Sequence, residues 1–321
     1  MLNFKIFLKK LKDKIDLKKK KIYIAVSGGV DSLVLLDLFF RIKDLRIKDL
    51  KIEVLHCNFK LRGAESEEEE NLIKKICKKK KILLHTKSFN IRKKSSKQIL
   101  ARKLRYLWFK RMLKTNSFNY IALGHHLNDS IETIFINLIR GTGIKGIKGI
   151  GFKKKYLIRP LLDFTKTEIL SYAKTKKISW IEDSSNINEK FLRNKIRKIL
   201  NKLLSNEAYL GIKKSFHILK DECLMINNHL NIIKKYIFLK QNIKEKTLSL
   251  KNLFNLHPMK IYLYKILKDY YFNNIRNLMK IIISKSGKKI NSNKSYFSIK
   301  KKKKKLILYR NKKYEKKNIS R

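Results

Sequence analysis

The chain has 321 residues, with 80 lysines and arginines against 25 aspartates and glutamates, a formal net charge of +55, and three scattered cysteines. No two cysteines form a Cys-x-x-Cys pair, which argues against a disulfide framework, a structural zinc site or a cysteine-held cluster. No apolar run reaches membrane-spanning length. The charge fits a polyanionic partner such as nucleic acid, and it equally fits a composition drifted toward Lys, Ile and Asn.

Along the chain, Phe4, Phe7, Leu8, Leu11 and Ile15 share one helical face, which reads as an ordinary leading helix of a soluble, cytoplasmic protein rather than a targeting peptide. Ile22 to Val26 is a continuous apolar, mostly β-favouring run, the pattern of an interior parallel strand. It breaks at Ser27-Gly28-Gly29-Val30-Asp31-Ser32, after which Leu33, Val34, Leu36, Asp37 and Phe40 fall at helical spacings. A second strand is expected at Lys51–Phe59. Ser66 and Glu69 then have the spacing of a capping box, opening a helix that ends in Lys78–Lys81. A third strand is expected at Lys81–His85, a long helix near Ser96–Lys114 and a fourth strand at Tyr120–Leu123.

Such alternation predicts an α/β fold, a doubly wound parallel sheet built from right-handed βαβ units. Ligands of these sheets bind beyond the carboxyl ends of the strands. Three polar segments fall there: Ser27–Ser32, His56–Arg62 and Gly124–Asp129. After residue 205 glycine becomes rare and the alternation is lost. Residues 212–240 and 257–285 read as helices, with Tyr262, Ile266, Tyr270 and Tyr271 as candidate core positions. The expected division is therefore a catalytic domain, 1–207, and a second, smaller, mainly helical domain, 208–321. Lys300–Lys305 is a run of six lysines ahead of Leu306-Ile307-Leu308-Tyr309. It reads either as a solvated charge run or as a contact for an RNA backbone.

The turn at Ser27–Ser32 lacks the lysine of a Walker loop. Its glycines let backbone N–H groups approach an anion, the following helix adds its positive end, and two hydroxyls can donate hydrogen bonds. Asp31 would repel phosphate directly and suits a Mg²⁺ ligand beside it. Asp129 and Glu132, three apart on a helix start, can face one point. Arg193 and Arg197, four apart, can present one cationic face to phosphates or RNA, or to solvent. Arg102 and Arg105 are related in a similar way, with Tyr106 available for stacking or packing.

The Ser27–Ser32 loop resembles the pyrophosphate-binding loop of the N-type ATP pyrophosphatases, a group that includes GMP, NAD and asparagine synthetases, several tRNA thiolases and tRNA(Ile)-lysidine synthetase. Further segments follow in order: LHCNFKLRG at 55–63, ARKLRY at 101–106, GHHLNDSIETIFINLIRGTG at 124–143, RPLL at 159–162 and DSSNINEKFLRNKIR at 183–197. Together they resemble the tRNA(Ile)-lysidine synthetase family. The later HPMKIYLYKIL and YFSIKKKKKKLILYR resemble that family's smaller tRNA-binding region more loosely.

The resemblance implies a PP-loop fold of the adenine nucleotide α-hydrolase type, ATP and Mg²⁺ as cofactors, and tRNA(Ile) with a CAU anticodon and free L-lysine as partners. It also makes a homodimer plausible and gives no membrane partner. The wobble cytidine would be adenylated on its base oxygen, and lysine would then displace AMP to give lysidine. On these positions it implies that Ser27, Gly28, Gly29, Val30, Asp31, Ser32 and His125 bind the nucleotide. Asp31 holds the metal, and Asp31, Asp129 and Arg193 are catalytic. Glu132, Arg102, Arg105 and Arg197 bind substrate. Three positions depart from the family pattern: Phe59 for a usual histidine, Asn128 for a common acidic residue and Gln98 for a usual glutamate. A tRNA thiolase and a non-catalytic RNA-binding remnant remain as alternatives.

Overall fold

The computed structural model describes residues 1–61, 63–91, 97–147, 149–182, 192–242, 245–293 and 296–311. The chain divides into two compact units, Met1–Leu219 and Lys220–Arg321. In chain order the first unit begins with α1 (Phe4–Lys12), β1 (Lys21–Val26), α2 (Val30–Asp44), β2 (Lys51–Asn58), α3 (Ala64–Lys79) and β3 (Leu84–Ser88). It continues with α4 (Lys97–Asn116), β4 (Tyr120–Ala122), α5 (Leu127–Ile139), α6 (Ile144–Ile147), β5 (Lys153–Lys154) and β6 (Leu157–Ile158). α7 (Lys166–Thr175), α8 (Leu192–Leu203) and α9 (Asn206–Ile237) follow. The division falls inside α9, whose Tyr209, Ile212 and Phe216 join Leu127 and Ile131 of α5 and Ile196 and Leu200 of α8 in one apolar cluster.

The first unit is built on a six-stranded sheet of order β3-β2-β1-β4-β6-β5, parallel except for β5. β1 lies between β2 and β4, and its period of two feeds both faces. Ile22, Ile24 and Val26 enter the core formed with α1, α2 and α7, while Tyr23 and Ala25 pack on the other side with Leu55, Phe109 and Ile121. This burial on both faces explains the unbroken apolar run in the sequence. The strand order reverses direction between β1 and β4, which places the switch-point crevice at the ends of these two strands.

Two local expectations are corrected. Ser66 does not cap α3: the helix starts two residues earlier, at Ala64, behind Gly63 at φ 52°, and Ser66 and Glu69 lie buried inside it. The third strand begins at Leu84 rather than Lys81, because Lys81 sits at φ 49° in the turn closing α3 and cannot extend a strand.

The second unit continues from α9 with β7 (Phe238–Gln241), β8 (Glu245–Ser249), α10 (Leu250–Phe254), α11 (Met259–Leu267) and α12 (Ile275–Ile283). It closes with β9 (Lys289–Asn291), β10 (Phe297–Lys302) and β11 (Lys305–Arg310). Its helices accompany an antiparallel sheet of order β7-β8-β11-β10-β9, which the sequence reading did not anticipate. Ile266 is fully buried in its core. The lysine run is a β-hairpin rather than a tail: Lys302 pairs with Lys305, and Lys303 takes the turn at φ 50°. Ile299 and Lys301 share the inner face of β10. Ile299 is buried, and the Lys301 ammonium donates to the carbonyls of Ile282 (2.5 Å) and Ser284 (2.6 Å) at the end of α12. Among the described residues no helix is long and apolar enough to cross a membrane.

Candidate active site

Two backbone features shape the loop after β1. Gly28 has φ 86°, and a Cβ there would lie 2.9 Å from Glu69 Cγ, so a side chain is excluded both by strain and by space. The Ser32 hydroxyl donates to the Gly29 carbonyl (2.8 Å) and accepts from the Ser27 amide (3.1 Å), which closes the turn onto the first turn of α2. From β4, Gly124 comes against this turn, where a Cβ would sit 3.2 Å from the Asp31 carbonyl carbon and the Ser32 nitrogen. Glycine at 124 is what lets the two strand ends meet.

Between them lies a cleft of about 200 Å³. Ser27, Gly29, Asp31 and Ser32 line one wall, His125 and Leu123 the β4 side, and Arg102, Arg105 and Tyr106 of α4 another. The Arg102 guanidinium lies 5.0 Å from the Tyr106 ring centroid, so Tyr106 is a platform for this arginine. Arg105 lies 5.3 Å from the Phe59 ring, which in turn stacks on Phe89 at 5.2 Å. Phe59 therefore supports Arg105 by its face. Burial pushes His125 down to about 4, with Asp129 opposing and Arg159, Arg193 and Arg102 reinforcing the shift. The imidazole is neutral near pH 7, and its buried Nδ1 has no hydrogen-bond partner among the described residues. Burial pushes the Cys57 thiol up to about 12 despite the Arg105 guanidinium beside it. Arg159 of the RPLL segment is also buried near this group, donating to the Gly151 carbonyl (2.8 Å).

Beside the cleft is a charged cluster. Asp129 Oδ2 accepts from the His126 amide at the start of α5 (3.0 Å), and Asp129 Oδ1 accepts from Arg193 Nη2 (3.0 Å). Burial alone would raise this carboxyl. His126, His125, Arg193 and the His126 amide together hold it down to about 2. The His126 ring sits between two carboxylates, its Nε2 3.5 Å from Asp129 Oδ2 and 3.8 Å from Asp31 Oδ2. Glu132 is fully buried, and its oxygens accept from Arg193 Nε (2.7 Å), Arg197 Nε (2.6 Å) and Arg197 Nη2 (3.2 Å). The cationic face that the sequence left open toward phosphates, RNA or solvent is thus bound to the two acids of α5. The side chain of Gln98 and residues 183–191 lie outside the described residues.

One residue at this site, Lys166, escaped the sequence reading, and Asn128 was noted there only as a departure from the family pattern. Lys166, at the start of α7, places its ammonium 2.6 Å from Asp31 Oδ1. Asn128 accepts from the Lys166 amide (2.9 Å), tying the first turns of α5 and α7 together. An acid at 128 could accept the same bond. The Thr165-x-x-Glu168 capping box marks the start of α7 in the sequence, but nothing local relates it to a loop 135 residues earlier.

One carboxylate, Asp31, partly exposed beside the glycine turn, is the donor set Mg²⁺ takes when nucleotide oxygens and water complete its shell. The residues present fit that ion.

A glycine turn from strand to helix at the switch point of a parallel sheet is the architecture of nucleotide-binding α/β proteins. The chain belongs to the PP-loop domain family, which matches residues 2–204, and this is an ATP-using family. It is 37% identical over 226 residues to a tRNA(Ile)-lysidine synthase of Bacteroides thetaiotaomicron, covering 68% of this chain and 50% of that protein. It is 35% identical over 222 residues to one of Chlorobaculum tepidum, covering 67% and 64%. The chain thus spans about half to two thirds of the length of these curated relatives. Among solved structures, a U34-tRNA thiolase of Methanococcus maripaludis carrying a [4Fe-4S] cluster superimposes with a TM-score of 0.56 at 18% identity, over 67% of this chain and 79% of that one. That likeness bears on the fold alone.

Proposed function

We propose that the chain is a tRNA(Ile)-lysidine synthase, joining free L-lysine to the wobble cytidine of a CAU-anticodon tRNA(Ile) with conversion of ATP to AMP and pyrophosphate. The observation that carries this is Asp129. It is an acid held ionised and set beside the phosphate loop, across the His126 ring from Asp31. Such a carboxylate suits the ammonium of lysine, and the loop suits the phosphates of ATP.

In the first step the cytidine base oxygen attacks the α-phosphorus and pyrophosphate departs. In the second the lysine ε-amine attacks the carbon bearing the activated oxygen, and AMP departs. Ser27, Gly28, Gly29, Val30 and Ser32 hold the phosphates through backbone and hydroxyl donors. Asp31 would hold Mg²⁺, which when bound neutralises phosphate charge. His125, neutral and with an Nδ1 that has no partner among the described residues, offers a hydrogen bond to the nucleotide in the cleft. Arg102 and Arg105 face substrate from α4.

Free lysine, with a pKa of about 10.4, arrives protonated. Asp129 binds that charge; the ammonium gives its proton to water before the amine attacks, because a carboxylate held at about 2 keeps no proton near neutrality, and Arg193 fixes the Asp129 carboxylate. Glu132 and Arg197 hold Arg193 and the start of α8 in place. The second unit binds the tRNA. The setting is the cytoplasm, where tRNA, ATP and lysine meet.

A thiolase would need a reactive sulfur at this cleft, and Cys57, the cysteine that lines it, is held as a neutral thiol. The test is incubation of the full chain with ATP, Mg²⁺, lysine and unmodified tRNA(Ile), followed by nucleoside mass spectrometry. Lysidine should form with lysine present and vanish in Asp31→Ala. Pyrophosphate release without lysidine would overturn the proposal.

A further inference from the structure

We propose that Phe59 and Phe89 form a stacking platform for an unpaired nucleobase of the RNA, a loop base flanking the one to be modified. The inference rests on the reading of the chain as an enzyme acting on tRNA, and it adds a base-binding site beside the cleft.

The position comes from the sheet. β2 and β3 are parallel neighbours with Asn58 opposite Ser88, so Phe59 and Phe89 each stand one residue beyond the paired ends. The Phe89 amide donates to the Asn58 carbonyl (2.8 Å), which keeps the two residues side by side. These are the carboxyl ends of the strands, where ligands of such sheets bind. The period of two puts Phe59 in line with Leu55 and Cys57, on the face covered by α4. Cys57 lines the cleft, so the aromatic pair continues the cleft wall toward β3, the edge strand.

The pair is not core. Its rings are 5.2 Å apart and within 17° of parallel, yet both residues are only half-buried, and neither joins the apolar clusters of the first unit. Phe59 has two stacking neighbours, Phe89 and the Arg105 guanidinium. Among the described residues Phe89 stacks on Phe59 alone.

The platform is also fixed at its root. Asn58 is buried, and its Nδ2 donates to Glu70 Oε2 (2.8 Å) and to the Ser66 carbonyl (3.3 Å) of α3. Its Oδ1 accepts from the Lys60 amide (2.9 Å), so the backbone on both sides of Phe59 is held. A ring fixed in this way loses little freedom when a partner stacks on it.

The chemistry of the surroundings selects the partner. Lys60 and Lys87 are exposed beside the rings, and Arg105 lies on Phe59. Cations for a backbone next to flat aromatic faces for bases are the combination that binds single-stranded nucleic acid. An enzyme acting on a base takes it out of its stack. The neighbouring base then lacks a stacking partner, and an aromatic side chain supplies one.

The test is binding of unmodified tRNA(Ile), and of a fully paired RNA duplex, to the full chain and to Phe89→Leu and Phe89→Trp, read by fluorescence anisotropy of labelled RNA. Phe89→Leu keeps apolar bulk and loses the flat face. It should weaken tRNA about 5- to 150-fold, and leave the duplex and inorganic pyrophosphate within about twofold. Phe89→Trp should keep tRNA affinity, and its indole emission should be quenched by tRNA beyond the quenching seen in the parent. Unchanged tRNA affinity in Phe89→Leu, or equal weakening of tRNA and duplex, would overturn the inference and leave the pair a packing support for Arg105. A parent protein that binds tRNA but forms no lysidine would end the lysidine reading and leave the platform standing. A parent that binds no tRNA would end both.

Discussion

Glu132→Ala is the substitution whose outcome separates two roles for one residue. Glu132 is 2% exposed and accepts three arginine hydrogen bonds of 2.6–3.2 Å from Arg197 and Arg193. Removing it leaves both guanidiniums to Asp129, at 3.0 and 3.8 Å. Breaking a buried ion pair by deleting one partner costs about 3–5 kcal/mol. The arginine side chains are 37% and 32% exposed, so water takes up part of the loss and the lower end, about 3 kcal/mol, is expected. For a unit of 219 residues, each kcal/mol moves the midpoint by about 2–4 °C, giving a drop of about 6–12 °C in thermal unfolding followed by circular dichroism. Glu132→Gln keeps the shape and should lose about half as much. Both variants should still bind pyrophosphate, because the loop is untouched, and both should form lysidine slowly, because Arg193 no longer fixes Asp129. A Tm within about 1 °C of the parent together with a raised KM for lysine alone would refute this reasoning and make Glu132 an amine ligand.

Stability should fall in acid in two stages. His125, at about 4 in the fold against 6.5 free, binds its proton more readily when unfolded. Its contribution, about 3 kcal/mol, is complete above pH 6.5 and is lost between 6.5 and 4. Asp129, at about 2 against 3.8, contributes about 2 kcal/mol above pH 4, lost between 4 and 2. Denaturant unfolding across pH should therefore show His125→Gln flattening only the upper window, and an unchanged slope there would count against a buried neutral His125. Cys57, at about 12, should react with iodoacetamide at pH 8 on the order of 10³-fold more slowly than a free thiol of pKa about 8.5. A rate near that of a free thiol, read by peptide mass spectrometry, would reopen the thiolase reading. In the lysine hairpin, changing Lys300, Lys302, Lys303, Lys304 and Lys305 to Gln should weaken tRNA binding and flatten its salt dependence by about 0.7–0.9 per lost phosphate contact. Lys301→Gln should instead lower stability, since it caps α12. An unchanged salt slope would leave the hairpin as a solvated surface.

The sequence by itself determined the elements whose signal is local. The apolar run at β1, the glycines that permit the turn after it, and the fall of three polar segments at strand ends were all legible, because strand burial and positive φ leave their mark on neighbouring residues. The Ser27–Ser32 cradle, Asp31 and the α5 acids were named on that basis. Local signals also misled where two readings share a pattern: Ser66 and Glu69 have capping-box spacing inside a helix already begun, and six lysines hid the period of two that makes β10 a strand. Only the tertiary structure decided what each charge faces. The reversal of strand order between β1 and β4 brings Lys166 to Asp31 across 135 residues, and the packing of α8 on α5 turns Arg193 and Arg197 onto Glu132. No spacing along a chain encodes such pairs, because they form from the order of strands in a sheet, and a side chain's partner is fixed only when the elements carrying both are packed.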